Sequence, residues 1–207
     1  MRYYIFYFLI TIPFCSIPLY AQETPSTFGT LGEILNEKPI TPQEHIPIAL
    51  QILEKRVATG DVEALFEIAL FYFKGVEIEK NIPKAIHYLT LAAEQKHSKA
   101  LYNLASLYLD GNIVEQDIDK GITYLEKAVQ EGYIPAQVGY AFLYLDGAIV
   151  TQDIEKAYVY LVIASNNTNI TQEELQEINE YKKNVAQKLT PSQVSNIEEK
   201  GRKGMLP

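Results

Sequence analysis

A repeat of 36 residues constrains the fold of this 207-residue chain more than any other feature. Residues 64–75 align with residues 100–111 and with residues 136–147, and the register continues through a second block without insertion or deletion. Equivalent positions hold the same residue in all three units: Ala64, Ala100 and Ala136; Ala69, Ala105 and Ala141; Tyr72, Tyr108 and Tyr144; Gly75, Gly111 and Gly147; Ile82, Ile118 and Ile154; Lys84, Lys120 and Lys156; Tyr88, Tyr124 and Tyr160; Leu89, Leu125 and Leu161; Ala92, Ala128 and Ala164. A period of this length predicts supersecondary units that bury their apolar faces by stacking on one another.

Each unit is predicted to contain two helices. In the first half of the first unit, Ala64, Ile68 and Tyr72 recur at helical spacing and form one apolar face. Gly75 follows where a left-handed C-cap closes a helix, because glycine adopts a positive φ without steric cost. Asn81, replaced by aspartate in the other two units, precedes the second half and is typical of an N-cap. The sequence therefore predicts an all-α chain of helix-turn-helix units.

The units resemble the Sel1-like repeats, a family related to the tetratricopeptide repeats. The resemblance rests on the opening alanine, the Ile68-Ala69 pair and its equivalents, the following tyrosine and glycine, and the Asp-x-x-Lys pattern that begins at Asp117 and Asp153. It covers about residues 48–165, although this chain keeps alanine where the family often has glycine. It implies a right-handed α/α solenoid that acts as an adaptor without catalysis of its own.

The first 21 residues have the features of a signal peptide. Arg2 is the only charged residue among them, residues 3–17 are almost entirely apolar, and Ala21 is a small residue before a polar stretch. We expect cleavage after Ala21 and a periplasmic or secreted product. The alternative is an uncleaved membrane anchor, since residues 3–21 are just long enough to span a bilayer. Cleavage would also remove Cys15, which is the only cysteine of the chain.

The helical pattern extends beyond the three units. Thr41 opens a capping box before a helix that matches the second half of a unit, and Thr171 and Thr190 open two more after the third unit. We expect these flanking helices to cap the two ends of the solenoid. The predicted divisions are a signal peptide at 1–21, a linker at 22–41, an N-terminal half-repeat at 42–61, repeats at 62–97, 98–133 and 134–169, and capping helices at 170–207.

The charge balance favours a protein partner over nucleic acid. The chain has 18 basic and 26 acidic residues, a net charge of −8, which repels both phosphate backbones and anionic membrane surfaces. No segment after residue 21 is apolar enough to cross a bilayer, so no membrane insertion is expected once the signal peptide is removed. His45, His87 and His97 are scattered, and no phosphate-binding loop or nucleophile motif is present. The expected product is a monomer with no catalytic residue, metal or cofactor.

A partner is expected to bind the concave face, which the first helix of each unit lines by analogy with tetratricopeptide arrays. On these helices we assign the positions equivalent to Ile68, Ala69 and Tyr72 to the core. The residues on the opposite side of each helix form what we call the concave stripe. The concave stripe consists of Phe66, Leu70, Phe73 and Lys74; Tyr102, Ser106, Leu109 and Asp110; and Val138, Phe142, Leu145 and Asp146. We predict a groove with an aromatic floor and a charged rim. The alternative is that some of these side chains pack against a neighbouring helix or the N-terminal segment.

Two functions from different classes remain open. The first is an adaptor that binds and holds several protein partners. The second is a dedicated inhibitor, such as an immunity protein that neutralises one enzyme or toxin in the periplasm. An adaptor is expected to capture several partners without inhibiting them, whereas an inhibitor is expected to bind one protein and abolish its activity.

Overall fold

The computed structural model describes residues 42–75 and 79–203, with side chains from residue 48 onward. The predicted signal peptide, linker and first capping box, together with Cys15 and the side chain of His45, lie outside the described residues. Within the described ranges every regular element is a helix, and the nine α-helices are accompanied by no strand. The prediction of an all-α protein is confirmed.

The helices form pairs that stack along the chain. Their bounds are α1 (Pro42–Ala58), α2 (Val62–Lys74), α3 (Ile82–Glu94), α4 (Ser98–Asp110), α5 (Ile118–Gln130), α6 (Ile134–Asp146), α7 (Ile154–Ser165), α8 (Gln172–Ala186) and α9 (Pro191–Arg202). The helices of each repeat, α2 with α3, α4 with α5 and α6 with α7, pack against each other, and each pair packs on the next. At one end α1 packs on α2, and at the other end α8 and α9 both pack on α7. The arrangement is an α/α solenoid, as predicted.

Sequence-encoded caps set the ends of the repeat helices. Gly75 and its two equivalents have positive φ values of 63°, 70° and 73° and end α2, α4 and α6. Asn81 accepts a hydrogen bond from the backbone N–H of Lys84 at 3.0 Å, and the equivalent aspartates cap α5 and α7 in the same way. Thr171 and Thr190 each form a complete capping box at the start of α8 and α9. These predicted caps are therefore confirmed.

Small residues allow the helices to approach closely enough to share buried clusters. Ala64 and its equivalents in the other two repeats have no measurable exposure. The buried side chains form a first cluster between α1 and α2 around Ile68, a central cluster from α2 to α6 around Leu104, and a third cluster from α6 to α9 around Leu161. Because α6 contributes to both larger clusters, these two clusters meet in that helix.

A carboxylate of α9 ties the C-terminal helices to the last repeat. The hydroxyl of Tyr158 on α7 donates a hydrogen bond to Glu198 Oε1 at 2.8 Å, and Lys182 Nζ on α8 lies 2.9 Å from the same oxygen. Burial alone would raise the pKa of Glu198, but the hydrogen bonds from Lys182 and Tyr158 outweigh it and lower the pKa below 4.5. The carboxylate is thus held ionised in the folded protein.

This tie is expected to weaken in acid. A carboxyl whose pKa is lowered by folding stabilises the fold above its unfolded pKa and loses that contribution as the pH falls through the lower, folded value. We expect Glu198→Gln to lower the melting temperature at neutral pH and to reduce the loss of stability between about pH 5 and pH 3. Glu199→Gln is the matched control, because Glu199 is exposed and forms an ion pair with Lys203, which is also exposed and directly follows α9. Thermal unfolding followed by circular dichroism at several pH values measures both effects, and identical pH profiles for the two variants would contradict this role of Glu198.

Candidate protein-binding face

The concave stripe is divided between buried and exposed positions. Four members are almost fully buried, with exposed fractions of 8% for Phe66, 4% for Tyr102, 1% for Leu109 and 4% for Val138. The expectation that these four line an open groove is therefore wrong. They belong to the two larger buried clusters, where they hold repeats together instead of facing a partner.

Phe66 is buried because the next repeat begins over its ring. The imidazole of His97 stacks on Phe66 with ring centroids 4.9 Å apart. His97 is also the N-cap of α4, since its Nδ1 accepts a hydrogen bond from the Ala100 N–H at 3.2 Å. Its Nε2 lies 2.8 Å from a carboxylate oxygen of Glu63 on α2. Because Nδ1 is the acceptor, we assign the proton to Nε2, which donates to Glu63.

The same kind of contact recurs one repeat later. Tyr102 occupies the position of Phe66 and packs edge-to-face against Tyr133, with ring centroids 5.4 Å apart. Burial raises the pKa of the Tyr102 hydroxyl well above its ordinary value, so this group stays protonated. In the third repeat, Val138 is covered within the cluster that contains α8 and α9. Phe66, Tyr102 and Val138 therefore lie in the seams between successive units and not in an open groove.

Leu109 is buried because a glycine in the partner helix leaves room for it. A Cβ atom added at Gly121 would lie 2.7 Å from Leu109 Cγ, which is far inside contact distance. The positions equivalent to Gly121 in the other repeats hold alanine, and the residues equivalent to Leu109 there, Phe73 and Leu145, are only half-buried. The absence of a methyl group at Gly121, where the other repeats have alanine, thus leaves room for Leu109 to enter the core.

The other members of the concave stripe are at least partly accessible. Leu70, Phe73, Phe142 and Leu145 are half-buried, as are Ser106 and Asp110, whereas Lys74 and Asp146 are exposed. Phe142 packs edge-to-face on Tyr181 of α8 with ring centroids 5.1 Å apart, so the C-terminal helices cover much of the stripe in the third repeat.

Within the concave stripe, the partly accessible apolar side chains lie on α2 and α6, whereas the most exposed large apolar residues of the described ranges, Ile48, Ile52 and Ile113, lie outside the stripe. Phe73 lies outside the three buried clusters formed by the described residues, and Lys80 Nζ is 5.8 Å from its ring centroid. Leu70 lies one turn before Phe73 and packs partly against the central cluster, and Lys74 follows Phe73 directly. We call Leu70, Phe73 and Lys74 the α2 patch.

A ladder of tyrosine and lysine side chains was not expected from the sequence. In each repeat two half-buried tyrosines stack nearly parallel, and the ammonium group of a lysine lies over one of the rings. The stacked pairs are Tyr72 with Tyr88 at 5.9 Å, Tyr108 with Tyr124 at 6.0 Å and Tyr144 with Tyr160 at 6.0 Å. The lysines are Lys84, Lys120 and Lys156, at 4.9, 4.1 and 5.2 Å from the ring centroids of Tyr72, Tyr108 and Tyr144. These contacts join the two helices of each repeat at its edge, where cation–π attraction adds to ring stacking.

The described residues place no cluster of catalytic or metal-binding groups together. In ranges 42–75 and 79–203 there is no group of three His, Cys, Asp or Glu residues arranged to hold a metal ion. His97 is occupied by the α4 cap and Glu63, and exposed His87 lies with its ring edge-on to Tyr88. Across the same described ranges, no helix is both long and apolar enough to cross a membrane.

The paired and stacked helices define an α/α-repeat protein. The sequence profile of the Sel1 repeat family matches residues 62–97, 98–133 and 134–169, which together make up more than half of the chain. The chain therefore belongs to the Sel1 repeat family. Proteins with Sel1 repeats generally mediate protein–protein interactions and generally serve as non-catalytic scaffolds.

Two solved structures align with this chain. The chain is similar to a Sel1 repeat protein from Oxalobacter formigenes, with 27% identity and a TM-score of 0.55 over 64% of this chain and 98% of the other. It also aligns with a protective antigen of uropathogenic Escherichia coli that displays an SLR fold, at 21% identity and a TM-score of 0.35 over 73% of this chain and 43% of the other. A search of curated protein sequences gave no significant match.

Proposed function

We propose that this protein is an exported, non-catalytic adaptor that binds another protein through the α2 patch and the accessible remainder of the concave stripe. The family supports the general class of function, because Sel1 repeat proteins generally mediate protein–protein interactions. The position of Phe73 carries the particular proposal. Phe73 is a partly exposed aromatic side chain of this stripe, and aromatic residues are enriched in protein interfaces.

The charged side chains of the concave stripe change sign along the solenoid. Lys74 is exposed at the end of α2, whereas the equivalent positions at the ends of α4 and α6 are Asp110 and Asp146. A partner that lies along the concave stripe therefore meets an apolar and basic end and an acidic end. Such a sign change fixes the orientation of a bound segment more than it adds affinity.

The α2 patch is tested by capture of partners with a charge substitution. We expect Phe73→Glu to remove the partners that unmodified residues 22–207 retain from an extract of the exported compartment, because a carboxylate disrupts an apolar contact. Ile163→Glu on α7 is the matched control, since Ile163 is also half-buried and also lies outside the three clusters of the described residues. Circular dichroism checks that both variants remain folded. Retention of the same partners by Phe73→Glu would contradict the proposal.

A dedicated inhibitor is the second candidate, favoured by the acidic end of the concave stripe. Asp110 and Asp146 occupy the same position in successive repeats, and the net charge of −8 favours a basic target. An inhibitor would be recognised by one dominant captured protein whose activity falls to zero at a stoichiometric amount of this chain. Several captured partners with unchanged activities would support the adaptor.

The proposal that the protein is exported rests on the sequence of the first 21 residues. A single basic residue, an apolar stretch and Ala21 before a polar segment support a cleaved signal peptide and a periplasmic or secreted location. We expect N-terminal sequencing of the protein recovered from its natural compartment to begin at Gln22. Recovery of the intact N-terminus in a membrane fraction would support the anchor instead.

A further inference from the structure

The junction between the second and third repeats lacks a helix cap that the preceding junctions have. Asp61 caps α2 by accepting a hydrogen bond from the Ala64 N–H at 3.3 Å, and His97 caps α4 in the same way. Tyr133 is the N-cap residue of α6, but its side chain makes no capping hydrogen bond with the described part of the chain. A phenol cannot reach back to the first turn as a carboxylate or imidazole does, so the start of α6 lacks a side-chain cap, although Pro135 in its first turn removes one unsatisfied N–H.

Unpaired polar atoms are buried on both sides of this same junction. Gln137 of α6 is 4% exposed and stands where the first two repeats have Leu65 and Leu101. No described residue offers a hydrogen-bond partner to Gln137 Oε1, and the same is true of the hydroxyl of buried Tyr102 across the seam. The first repeat has a phenylalanine at the position of Tyr102. Both polar atoms lose their hydration when the junction closes and regain it when the junction opens.

The helix at this junction is weakened in its interior as well. Gly139 is buried in the middle of α6, where the equivalent positions of α2 and α4 hold Glu67 and Asn103. Glycine lowers helix stability relative to residues with a side chain.

We propose that the junction between the second and third repeats is a built-in hinge at which the solenoid opens locally. Opening hydrates Gln137 and Tyr102, which have no partners to lose, whereas opening of the junction between α3 and α4 exposes apolar groups and breaks the contact of His97 with Glu63. The local free energy of opening is therefore lower at α6 than at α4. Because the α2 patch lies before this hinge and Leu145 and Asp146 lie after it, hinge opening changes the spacing of the two ends of the concave stripe. The inference goes beyond the proposed function and does not depend on it.

Native-state hydrogen exchange of the full mature chain, measured by mass spectrometry, tests the hinge. We expect amides at the start of α6 to exchange about tenfold faster than the equivalent amides at the start of α4, because two buried polar atoms without partners regain hydration when this junction opens. Gln137→Leu, which copies Leu65 and Leu101, should slow exchange at the start of α6 by about fivefold or more. Tyr102→Phe, which copies Phe66 and removes the unpaired hydroxyl, should act in the same direction. Gln176→Leu on the exposed face of α8 is the control and should leave this exchange unchanged.

Two results would overturn the hinge. Equal exchange at the starts of α4 and α6 in the unmodified chain would show that the junction is no weaker than the one before it. Faster exchange in Gln137→Leu would show that the amide makes favourable interactions, for example with an ordered buried water, and stabilises the junction. If Gln137→Leu fails to fold, Tyr102→Phe gives the same test, because it removes only the unpaired hydroxyl and keeps the ring against Tyr133.

Discussion

Phe66→Ala is expected to lower the free energy of unfolding by about 3–5 kcal/mol, the usual cost of removing a buried aromatic side chain. Phe66 is 8% exposed, belongs to the central cluster and stacks on His97 at 4.9 Å. Its loss leaves a cavity at the seam between the first two repeats and removes the surface on which the N-cap of α4 rests. Reversible denaturation in urea, followed by circular dichroism, measures the change.

Phe73→Ala is the matched control for this seam. Phe73 lies on the same helix as Phe66 and carries the same side chain, but it is half-buried and lies outside the three clusters of the described residues. We expect a loss of about 1 kcal/mol or less, because only part of its surface leaves water on folding. Equal losses for the two variants would contradict the assignment of Phe66 to the seam and Phe73 to the α2 patch.

Gly147→Ala is expected to lower the free energy of unfolding by about 2–4 kcal/mol, from a strained backbone and a steric clash together. Gly147 ends α6 with φ at 73°, a region that disfavours any side chain. A Cβ atom there would also lie 2.7 Å from Gln152 Cβ and 3.2 Å from Gln152 Cα, so the clash involves backbone as well as side chain. The turn between α6 and α7 must shift to accept the methyl group.

A substitution at Gly60 separates the cost of backbone strain from the cost of the steric clash. Its φ is 84°, but a Cβ atom built there meets nothing within 4 Å among the described residues. Gly60→Ala should therefore cost only the backbone strain, about 1–2 kcal/mol. The difference between the two variants, measured by urea denaturation under identical conditions, is the cost of the clash. If Gly60→Ala were as destabilising as Gly147→Ala, close packing of the α6–α7 turn would not be the cause.

The parts of the fold that depend on local residue types could be predicted from the sequence. Helix ends followed from Gly75 and Asn81 and their equivalents, because a left-handed C-cap and an N-cap involve only a few neighbouring residues. The capping boxes at Thr171 and Thr190 predicted the starts of α8 and α9 for the same reason. Stacking then followed from the repeat, since each unit leaves apolar surface that only a neighbour can cover.

The burial of the concave stripe could not be predicted because it depends on contacts between distant residues. Leu109 enters the core only because Gly121 leaves space on the next helix, and Phe142 is covered only because α8 brings Tyr181 against it. Analogy with other helical arrays assigns each position to a face of its helix, but it does not predict which contacts a particular side chain makes with other helices. The prediction that Phe66 is accessible was wrong because His97, at the start of the next repeat, covers its ring.

One missed feature did have a signal in the sequence. The tyrosine–lysine ladder involves positions that keep the same residue in all three repeats, represented by Tyr72, Lys84 and Tyr88. Their joint invariance indicated a contact within each repeat, whereas the apolar periodicity alone assigned Tyr72 to the core. A lysine that recurs with a pair of aromatic residues predicts a cation–π contact more specifically than helical spacing does.

The central claim, that a protein partner binds the α2 patch, is tested most directly by the dissociation constant of a purified captured partner. Isothermal titration calorimetry would compare unmodified residues 22–207 with Phe73→Ala and with Ile163→Ala. We predict that Phe73→Ala weakens binding about 30-fold or more, which corresponds to about 2 kcal/mol and is typical of an interface hot spot. Ile163→Ala should leave the dissociation constant unchanged. Equal affinities for Phe73→Ala and the unmodified chain would contradict the claim and would place the binding surface elsewhere on the solenoid.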